Sequence, residues 1–365
     1  MKRRTLVIDA LVYKKNKAFG YQEYLFNLLD YFFLQSDKLN YNKIIIVCDR
    51  TQLEDFKKFE NKFILKGLNA SNVLFRIYHQ HLLYLSFKLN KNDTILFTGN
   101  YSALFKSCNY ILVIHDLLYL RKQLLPNFLM RFQRHLFVPR SVAISNIIIT
   151  ISEFTKKDIL NNFKFVDSKK IFTIYNYFNF SKYDENSKTI EKSSESNYFL
   201  TISSQAFHKN TITVLKAFER YCNNEKESDL FVVGKLSIKE DLRFYERLPQ
   251  DIKSRIKIFS NISNLELSHL YKGSKAYISA SLFEGLGMPL VEAMYFNIPL
   301  IISNLEVFKE IADNKSFFFN PLDDLELYEL MLKININKMN MLEYDINQFS
   351  AENTSERYIE ILNNI

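Results

Sequence analysis

The chain has 365 residues, a length that favours two folded domains, and its 47% hydrophobic and 24% charged residues exclude a largely disordered protein. Three cysteines without a CxxC spacing favour free thiols in a reducing compartment over a disulfide framework or a zinc site. The formal net charge of +8 is compatible with binding to nucleic acid, with binding to an anionic membrane surface, or with a role in solubility alone. Because the sequence lacks the aromatic–basic repeat of a nucleic-acid binder, we expect no nucleic-acid partner.

The first residues, MKRRTLVIDALVY, predict a β-strand at residues 5–9 rather than a cleaved signal. No apolar run reaches the ~18 residues of a membrane span, so we expect a cytoplasmic protein. Near-continuous apolar runs that alternate with stretches of helix length predict a parallel sheet covered on both faces. The further strands predicted in this half are residues 43–48, 73–78, 94–97, 110–114, 146–151 and 171–175.

The stretch FLMRFQRHLFVPR, residues 128–140, mixes Phe, Leu and Met with Arg131, Arg134 and Arg140. Such a composition suits a helix lying on the anionic inner surface of a cell membrane. The alternative is an amphipathic helix that covers its own core.

Residues 181–197, SKYDENSKTIEKSSESN, contain almost no apolar side chains and predict a linker. Beyond them the alternation resumes, which predicts a second domain of the same class, and the ligand site of two such domains is the cleft between them. The strands predicted in this half are residues 198–203, 230–234, 256–260, 276–280, 299–303 and 316–319. We therefore expect two doubly wound, Rossmann-like α/β domains at residues 1–183 and 198–345, joined by a linker at 184–197.

Two of the seven glycines, Gly285 and Gly287, stand between a predicted strand and a predicted helix. These glycines allow the backbone to turn tightly and to come close to a ligand. Pro289 suits the first turn of the helix, and the free N–H groups at that helix N-terminus favour binding of a phosphate. Glu284 and Glu292 flank the turn, and carboxylates bind sugar hydroxyls through charge-assisted hydrogen bonds. The pattern predicts a nucleotide-sugar site, and an ordinary strand–loop–helix with a solvated glutamate is the alternative.

These two glutamates, with seven residues between them, and the surrounding residues 270–323 resemble the family 4 glycosyltransferases of GT-B fold nearly end to end. The chain is most similar to the branch that builds bacterial surface polysaccharides, including mannosyltransferase-like members. Other matching segments are ILVIHDLLYLR (111–121), NIIITISEFTKKDIL (146–160), IDALVYKKNKAFGYQEYLFNLL (8–29), FHKNTITVLKAF (207–218) and FSAENTSERYIEIL (349–362). The resemblance implies two domains that face each other across a cleft, and a C-terminal helix at 346–365 packing back toward the N-terminal domain.

The resemblance also implies a role for each matching residue of the turn. Glu292 would bind the nucleotide ribose, and Glu284 would bind hydroxyls of the donor sugar. The donor diphosphate would be held by the backbone amides of Gly285, Leu286, Gly287 and Met288.

Four residues outside the turn receive implied roles in the same way. Lys209 would neutralise the departing diphosphate, and His208 stands beside it where the family usually has arginine. His115 would lie beside the anomeric centre, and Gly20 would let an N-terminal loop approach donor or acceptor. The alternative for Lys209 is a surface lysine at a helix start, and the alternative for His115 is a hydrogen-bonded structural histidine. Asp116, next to His115, is expected to be an orienting or helix-capping acid.

The sequence departs from the family pattern at several further positions. Ser203 and Ser204 replace the usual glycine after the first strand of the second domain. Ala280 stands where proline is usual, and Tyr177 stands where glycine is common. Ser152, although it matches the family, is predicted to be a helix N-cap.

The resemblance implies a retaining transfer of a hexose from a GDP- or UDP-linked donor to a lipid-linked or polysaccharide acceptor. We expect no cofactor and no metal, because no DxD-like pair stands in a suitable loop and Asp323–Asp324 reads as a helix cap. No carboxylate in the motif suits a covalent nucleophile. The alternatives are another enzyme acting on a nucleotide-sugar, such as an epimerase, and a non-catalytic scaffold.

Overall fold

The computed structural model describes residues 4–15, 19–70, 72–81, 87–125, 127–183, 197–204, 206–224, 228–312, 316–334 and 343–365. The chain forms two compact units. The N-terminal unit holds the described residues up to Asn179, apart from Gln123–Leu125, together with Asn347–Ile365. The C-terminal unit holds Gln123–Leu125 and Phe180–Ile346, so it begins a few residues before the predicted linker. Residues 184–196 of that linker lie outside the described residues.

A parallel sheet of seven strands forms the centre of the N-terminal unit, in the order β3-β2-β1-β4-β5-β6-β7. Leu6 pairs with Ile44 on one side and Thr94 on the other. Successive residues of β1 are completely buried, which requires helices on both faces of the sheet. The strands are β1 (Thr5–Asp9), β2 (Lys43–Asp49), β3 (Ile64–Leu68), β4 (Thr94–Phe97), β5 (Asn109–Ile114), β6 (Ile147–Thr150) and β7 (Ile171–Thr173).

Helices of this unit connect the strands. They are α1 (Phe19–Leu34), α2 (Leu53–Phe56), α3 (Val73–His81), α4 (Phe128–Ile144) and α5 (Glu153–Asn162). In α4 the side chains of Phe128, Phe132 and Leu136 are 74%, 58% and 57% exposed, whereas Phe137 and Val138 are buried. Exposed Phe and Leu side chains on this helix are therefore confirmed, whereas its contact with a membrane stays a prediction.

The strand predicted at residues 73–78 is wrong, because these residues form α3. Leu74, Phe75 and Tyr78 recur at helical spacing on its exposed side, so the apolar run is one face of a helix and not a buried strand. The strand at the edge of the sheet is β3 instead, which the sequence did not predict. Its residues are mostly half-buried or exposed, so they lack the continuous apolar run of a central strand.

The C-terminal unit contains a parallel sheet of six strands, in the order β10-β9-β8-β11-β12-β13. Its strands match the predicted ones within about one residue at each end, as boundaries usually allow. They are β8 (Tyr198–Ile202), β9 (Asp229–Val233), β10 (Ile256–Phe259), β11 (Ala276–Ser279), β12 (Leu300–Ser303) and β13 (Phe317–Phe319). The helices are α6 (Thr211–Asn224), α7 (Lys239–Arg247), α8 (Gln250–Ser254), α9 (Asn264–Lys272), α10 (Met288–Tyr295), α11 (Glu306–Ala312) and α12 (Asp324–Lys333).

The final helix, α13 (Ala351–Asn364), belongs to the N-terminal unit. The hydroxyl of its Tyr358 lies 3.0 Å from that of Tyr24 in α1, and the Tyr41 hydroxyl donates to the carbonyl oxygen of Leu362 at 2.8 Å. Both tyrosines of the first pair are buried, so the helix completes the core on that side. Among the described residues, no helix is both long enough and apolar enough to cross a bilayer.

Candidate functional site

The glycine turn joins β11 to α10 in the C-terminal unit. Gly287 is the N-cap of α10 and has φ 97°, a left-handed conformation that L-residues other than glycine rarely adopt. A Cβ atom on it would lie 2.7 Å from the ring of Phe308, so both conformation and space require glycine. Pro289 follows in the first helical turn, where its missing N–H costs nothing.

Glu284 precedes the turn and makes two close contacts. Its Oε1 accepts hydrogen bonds from Lys209 Nζ at 2.7 Å and from Ser281 Oγ at 2.8 Å. The Lys209 and Glu284 side chains are only 18% and 12% exposed, so little water screens the ion pair. The structure thus brings together two residues that are 75 positions apart and were predicted to act on the same ligand.

Backbone and side-chain contacts place Lys209 beside the turn. Lys209 ends a short 3-10 helix, Phe207–Lys209, in which the carbonyl oxygen of His208 accepts from the N–H of Leu282 at 2.7 Å. Asn210, at φ 52°, donates through Nδ2 to the carbonyl oxygens of Ala280 at 3.0 Å and Pro321 at 2.7 Å. The segment that carries Lys209 is therefore tied to the residues that follow β11.

The charge state of Glu284 follows from these neighbours. Burial by itself raises the pKa of this carboxyl, but the positive charge of Lys209, then that of His208, and the hydrogen bonds from Lys209 and Ser281 outweigh it. The pKa of Glu284 is lowered as a result, and the side chain is an anionic acceptor at neutral pH. His208, which replaces an arginine of the family pattern, thus contributes to the electrostatics of this site.

Glu292 is the fifth residue of α10 and is 7% exposed. Its Oε1 lies 3.2 Å from Lys182 Nζ, and its Oε2 accepts from the Tyr271 hydroxyl at 2.9 Å. Such donors offset the cost of burying a carboxylate. Sequence reasoning missed both partners. Tyr271 lies within the segment that resembles the family, whereas Lys182 lies in the polar stretch interpreted as a linker and gave no signal.

His115 lies in the N-terminal unit, directly after β5. Its Nε2 is 2.8 Å from the carbonyl oxygen of Thr98, so Nε2 carries the proton and donates it. The ring packs edge-on against Tyr24, with centroids 4.7 Å apart. Burial lowers the pKa of His115, opposed by the Thr98 contact and by Asp116, so the imidazole is neutral at pH 7. Its position beside an anomeric carbon stays a prediction.

The helix caps predicted at Ser152 and Asp323 are confirmed. Ser152 is the N-cap of α5 and accepts from the N–H of Thr155 at 3.1 Å, and Asp323 caps α12 in the same way. Asp116 accepts from the N–H of Leu118 at 2.9 Å in an Asx turn, but the N-cap of the short helix Leu118–Leu120 is Leu117, so Asp116 is not the capping residue. Gly20, predicted to serve a loop, is the second residue of α1, and residues 16–18 before it lie outside the described part of the chain.

The residues that depart from the family pattern have structural partners. The Ser203 hydroxyl lies 2.9 Å from that of Thr211, and the Ser204 hydroxyl accepts from the N–H of Ala206 at 3.2 Å. The carbonyl oxygen of Tyr177 accepts from Asn27 at 2.9 Å. The two serines therefore bond through their side chains, and Tyr177 bonds through its backbone.

Comparison with known proteins gives three groups of similarities. Residues 182–346 match the sequence model of the family described as "Glycosyl transferases group 1". The O-antigen chain mannosyltransferase RfbU of Salmonella typhimurium is 29% identical over 236 residues, which are 63% of this chain and 62% of that protein. The serotype-specific mannosyltransferase WbdA of Escherichia coli is 31% identical over 166 residues, which are 43% of this chain and 20% of that protein. The chain thus spans about three fifths of the first relative and a fifth of the second.

Solved structures share the fold over the full length. A glycosyltransferase from Rickettsia africae has a TM-score of 0.71 at 18% identity and covers 100% of this chain and 99% of its own. HepE from Anabaena, solved in complex with UDP and glucose, has a TM-score of 0.72 at 12% identity and covers 100% of both chains. At these identities the likeness establishes the two Rossmann-like folds and says nothing of the ligand.

Proposed function

We propose that this chain is a group 1 glycosyl transferase, the family whose sequence model residues 182–346 match, and that it transfers a hexose from a nucleotide-sugar in the synthesis of a bacterial surface polysaccharide. The acceptor is a lipid-linked sugar or a growing polysaccharide. The observation that carries the proposal is the buried contact of Lys209 with Glu284 beside the glycine turn. Mannose is the first sugar to test, because RfbU and WbdA are both described as mannosyltransferases.

The chemistry divides among the residues of the site. Glu292 accepts hydrogen bonds from the ribose, ionised Glu284 accepts them from the donor sugar, and Lys209 stabilises charge on the departing diphosphate. The bond from the anomeric carbon to the diphosphate oxygen breaks while the acceptor oxygen bonds to that carbon on the same face. The acceptor proton passes to the leaving phosphate. Such a reaction retains the anomeric configuration and needs no metal ion.

The first test is binding of the bare nucleotide. Glu292→Gln is expected to weaken GDP or UDP binding by about ten- to a hundred-fold, because it removes a charge-assisted hydrogen bond worth roughly 1.5–3 kcal/mol. Titration calorimetry with each nucleotide measures the effect. The matched control is Glu246→Gln on the exposed side of α7, which should bind as wild type does. Failure of the wild-type protein to bind any nucleoside diphosphate would remove the basis of the proposed function.

A second part of the proposal concerns the cytoplasmic face of the membrane. Helices α3 and α4 pack together, with the rings of His81 and Phe137 4.4 Å apart. Neither helix contains an acidic residue, and together they carry four arginines, so an anionic lipid surface complements them. We name the exposed apolar side chains of these helices the α3–α4 surface; they are Leu74, Phe75, Tyr78, Phe128, Leu129, Met130, Phe132 and Leu136.

Vesicle sedimentation tests this contact. Wild-type protein is expected to bind vesicles containing anionic lipid, with binding that weakens as salt rises. The double variant Phe128→Ser, Phe132→Ser should lose about tenfold or more in partitioning, because each exposed ring contributes buried apolar area. Phe165→Ser removes an equally exposed phenylalanine elsewhere in the unit and should bind normally. Binding that is equal on neutral vesicles at high salt would contradict the proposal.

A further inference from the structure

Both oxygens of the Glu292 carboxylate have their own protein donor. Lys182 Nζ lies 3.2 Å from Oε1, and the Tyr271 hydroxyl lies 2.9 Å from Oε2. A carboxylate offers about four acceptor positions, two on each oxygen. These donors use one position on each oxygen and leave a second on each for a ligand, and the adjacent hydroxyls of a ribose ring are donors of the kind that such positions accept.

Tyr271 is held rigidly by its surroundings. Its ring is completely buried and stacks on Phe296 with centroids 5.5 Å apart. Its hydroxyl lies 3.2 Å from the carbonyl oxygen of Pro289 as well as beside Glu292, so it links the first turn of α10 to the carboxylate. Burial, and then the charge of Glu292, raise the pKa of Tyr271 well above its usual range, so the hydroxyl always carries its proton.

Lys182 is held by the segment that opens the C-terminal unit. Phe180 stacks on Tyr295 of α10 at 4.3 Å with an interplanar angle of 5°, and the ring of Tyr183 packs on Phe296 at 5.2 Å. The Lys182 side chain is only 20% exposed, with its ammonium over the Tyr183 ring at 4.8 Å. Aromatic contacts on both sides thus direct this lysine at α10.

We propose that Lys182 and Tyr271 are positioning residues that orient the Glu292 carboxylate toward the two hydroxyls of the nucleotide ribose. This inference rests on the proposed function, since it assumes that Glu292 binds ribose. By orienting Glu292, Lys182 and Tyr271 make the site selective for ribonucleotides. A 2′-deoxy nucleotide lacks one of the two hydroxyls, so one acceptor position of the Glu292 carboxylate has no partner, and an unpaired buried acceptor weakens binding.

The test measures affinity for a bare nucleoside diphosphate and for its 2′-deoxy counterpart. Wild type is expected to prefer the ribonucleotide by about tenfold or more. Tyr271→Phe and Lys182→Met should each weaken ribonucleotide binding about tenfold and reduce that preference, whereas Lys182→Arg should retain both. In a Glu292→Gln background, Tyr271→Phe should have almost no further effect, because the partner that it orients is already altered.

Matched controls separate positioning from general packing. In Tyr198→Phe the lost hydroxyl is one that donates to the carbonyl oxygen of Leu270 in α9, the helix that also carries Tyr271. This hydroxyl does not contact Glu292, so the variant should bind nucleotide as wild type does. Lys239→Met removes an exposed lysine of α7. If Glu292→Gln loses affinity while Tyr271→Phe and Lys182→Met keep wild-type affinity and preference, this inference is wrong and the proposed function stands. Absence of nucleotide binding by wild type would overturn both.

Discussion

Replacing Glu284 by glutamine is expected to reduce sugar transfer about a hundred-fold or more while bare-nucleotide affinity stays near wild type. The carboxylate contacts only the donor sugar in the proposed site, and contacts that strengthen toward the transition state appear in turnover. Glutamine is isosteric and keeps an oxygen for Lys209 and Ser281, so the variant should fold. The neutral side chain no longer forms an ion pair with Lys209, although it can still accept a hydrogen bond from that lysine.

Initial transfer rates with nucleotide-sugar and acceptor, together with calorimetric nucleotide titration, measure the two effects separately. Glu246→Gln serves again as the exposed control. If Glu284→Gln and Glu292→Gln lose bare-nucleotide affinity equally, the division of roles between the two glutamates is wrong. If both variants transfer sugar at the wild-type rate, the glutamates are structural. Consumption of nucleotide-sugar without any acceptor would instead indicate an epimerase.

Replacing Gly234 by alanine is expected to destabilise the C-terminal unit by about 2–4 kcal/mol, through strain at a backbone conformation closed to L-residues. Gly234 follows β9 with φ 112°, and a Cβ atom there would clash with the carbonyl oxygen of Ser203. That oxygen cannot move aside easily, because the N–H of Ser203 bonds to the carbonyl oxygen of Val233 at 2.8 Å.

Urea unfolding followed by fluorescence or circular dichroism measures the loss. The control is Gly67→Ala on β3, where the new Cβ would meet the Leu53 side chain, which can rotate, and would lie 3.1 Å from the Cα of Arg50. Gly67 has no positive φ, so the control should lose clearly less stability. Equal losses in the two variants would show that the conformation of Gly234 does not decide the outcome.

The sequence predicts most of the fold because buried parallel strands carry their own signature. Runs such as residues 43–48 and 94–97 are apolar on both faces, and this is what a central strand of a covered sheet requires. Helix caps are equally local, since Ser152 and Asp323 bond to N–H groups two or three residues away. The strand predicted at residues 73–78 failed because a short apolar run does not distinguish a strand from the face of a helix.

The candidate site was only partly predictable for a different reason. Gly287 and Pro289 act through the local backbone, so their pattern is visible in the sequence. Glu292 depends on Lys182, 110 residues earlier, and on Tyr271, 21 residues earlier. Nothing in a lysine within a polar stretch indicates which carboxylate it will meet, because long-range pairing is fixed by packing of the whole unit.

The place of α13 has a consequence for synthesis on the ribosome. Residues 351–364 emerge only after the entire C-terminal unit has been made, yet they cover Tyr24 and Phe32 of the N-terminal unit. Until then the nascent first unit presents these rings to solvent or to a chaperone, although its sheet is already complete. A stop codon just before residue 351 would therefore leave the N-terminal unit, which is made first, without its last helix, whereas the C-terminal unit would be complete.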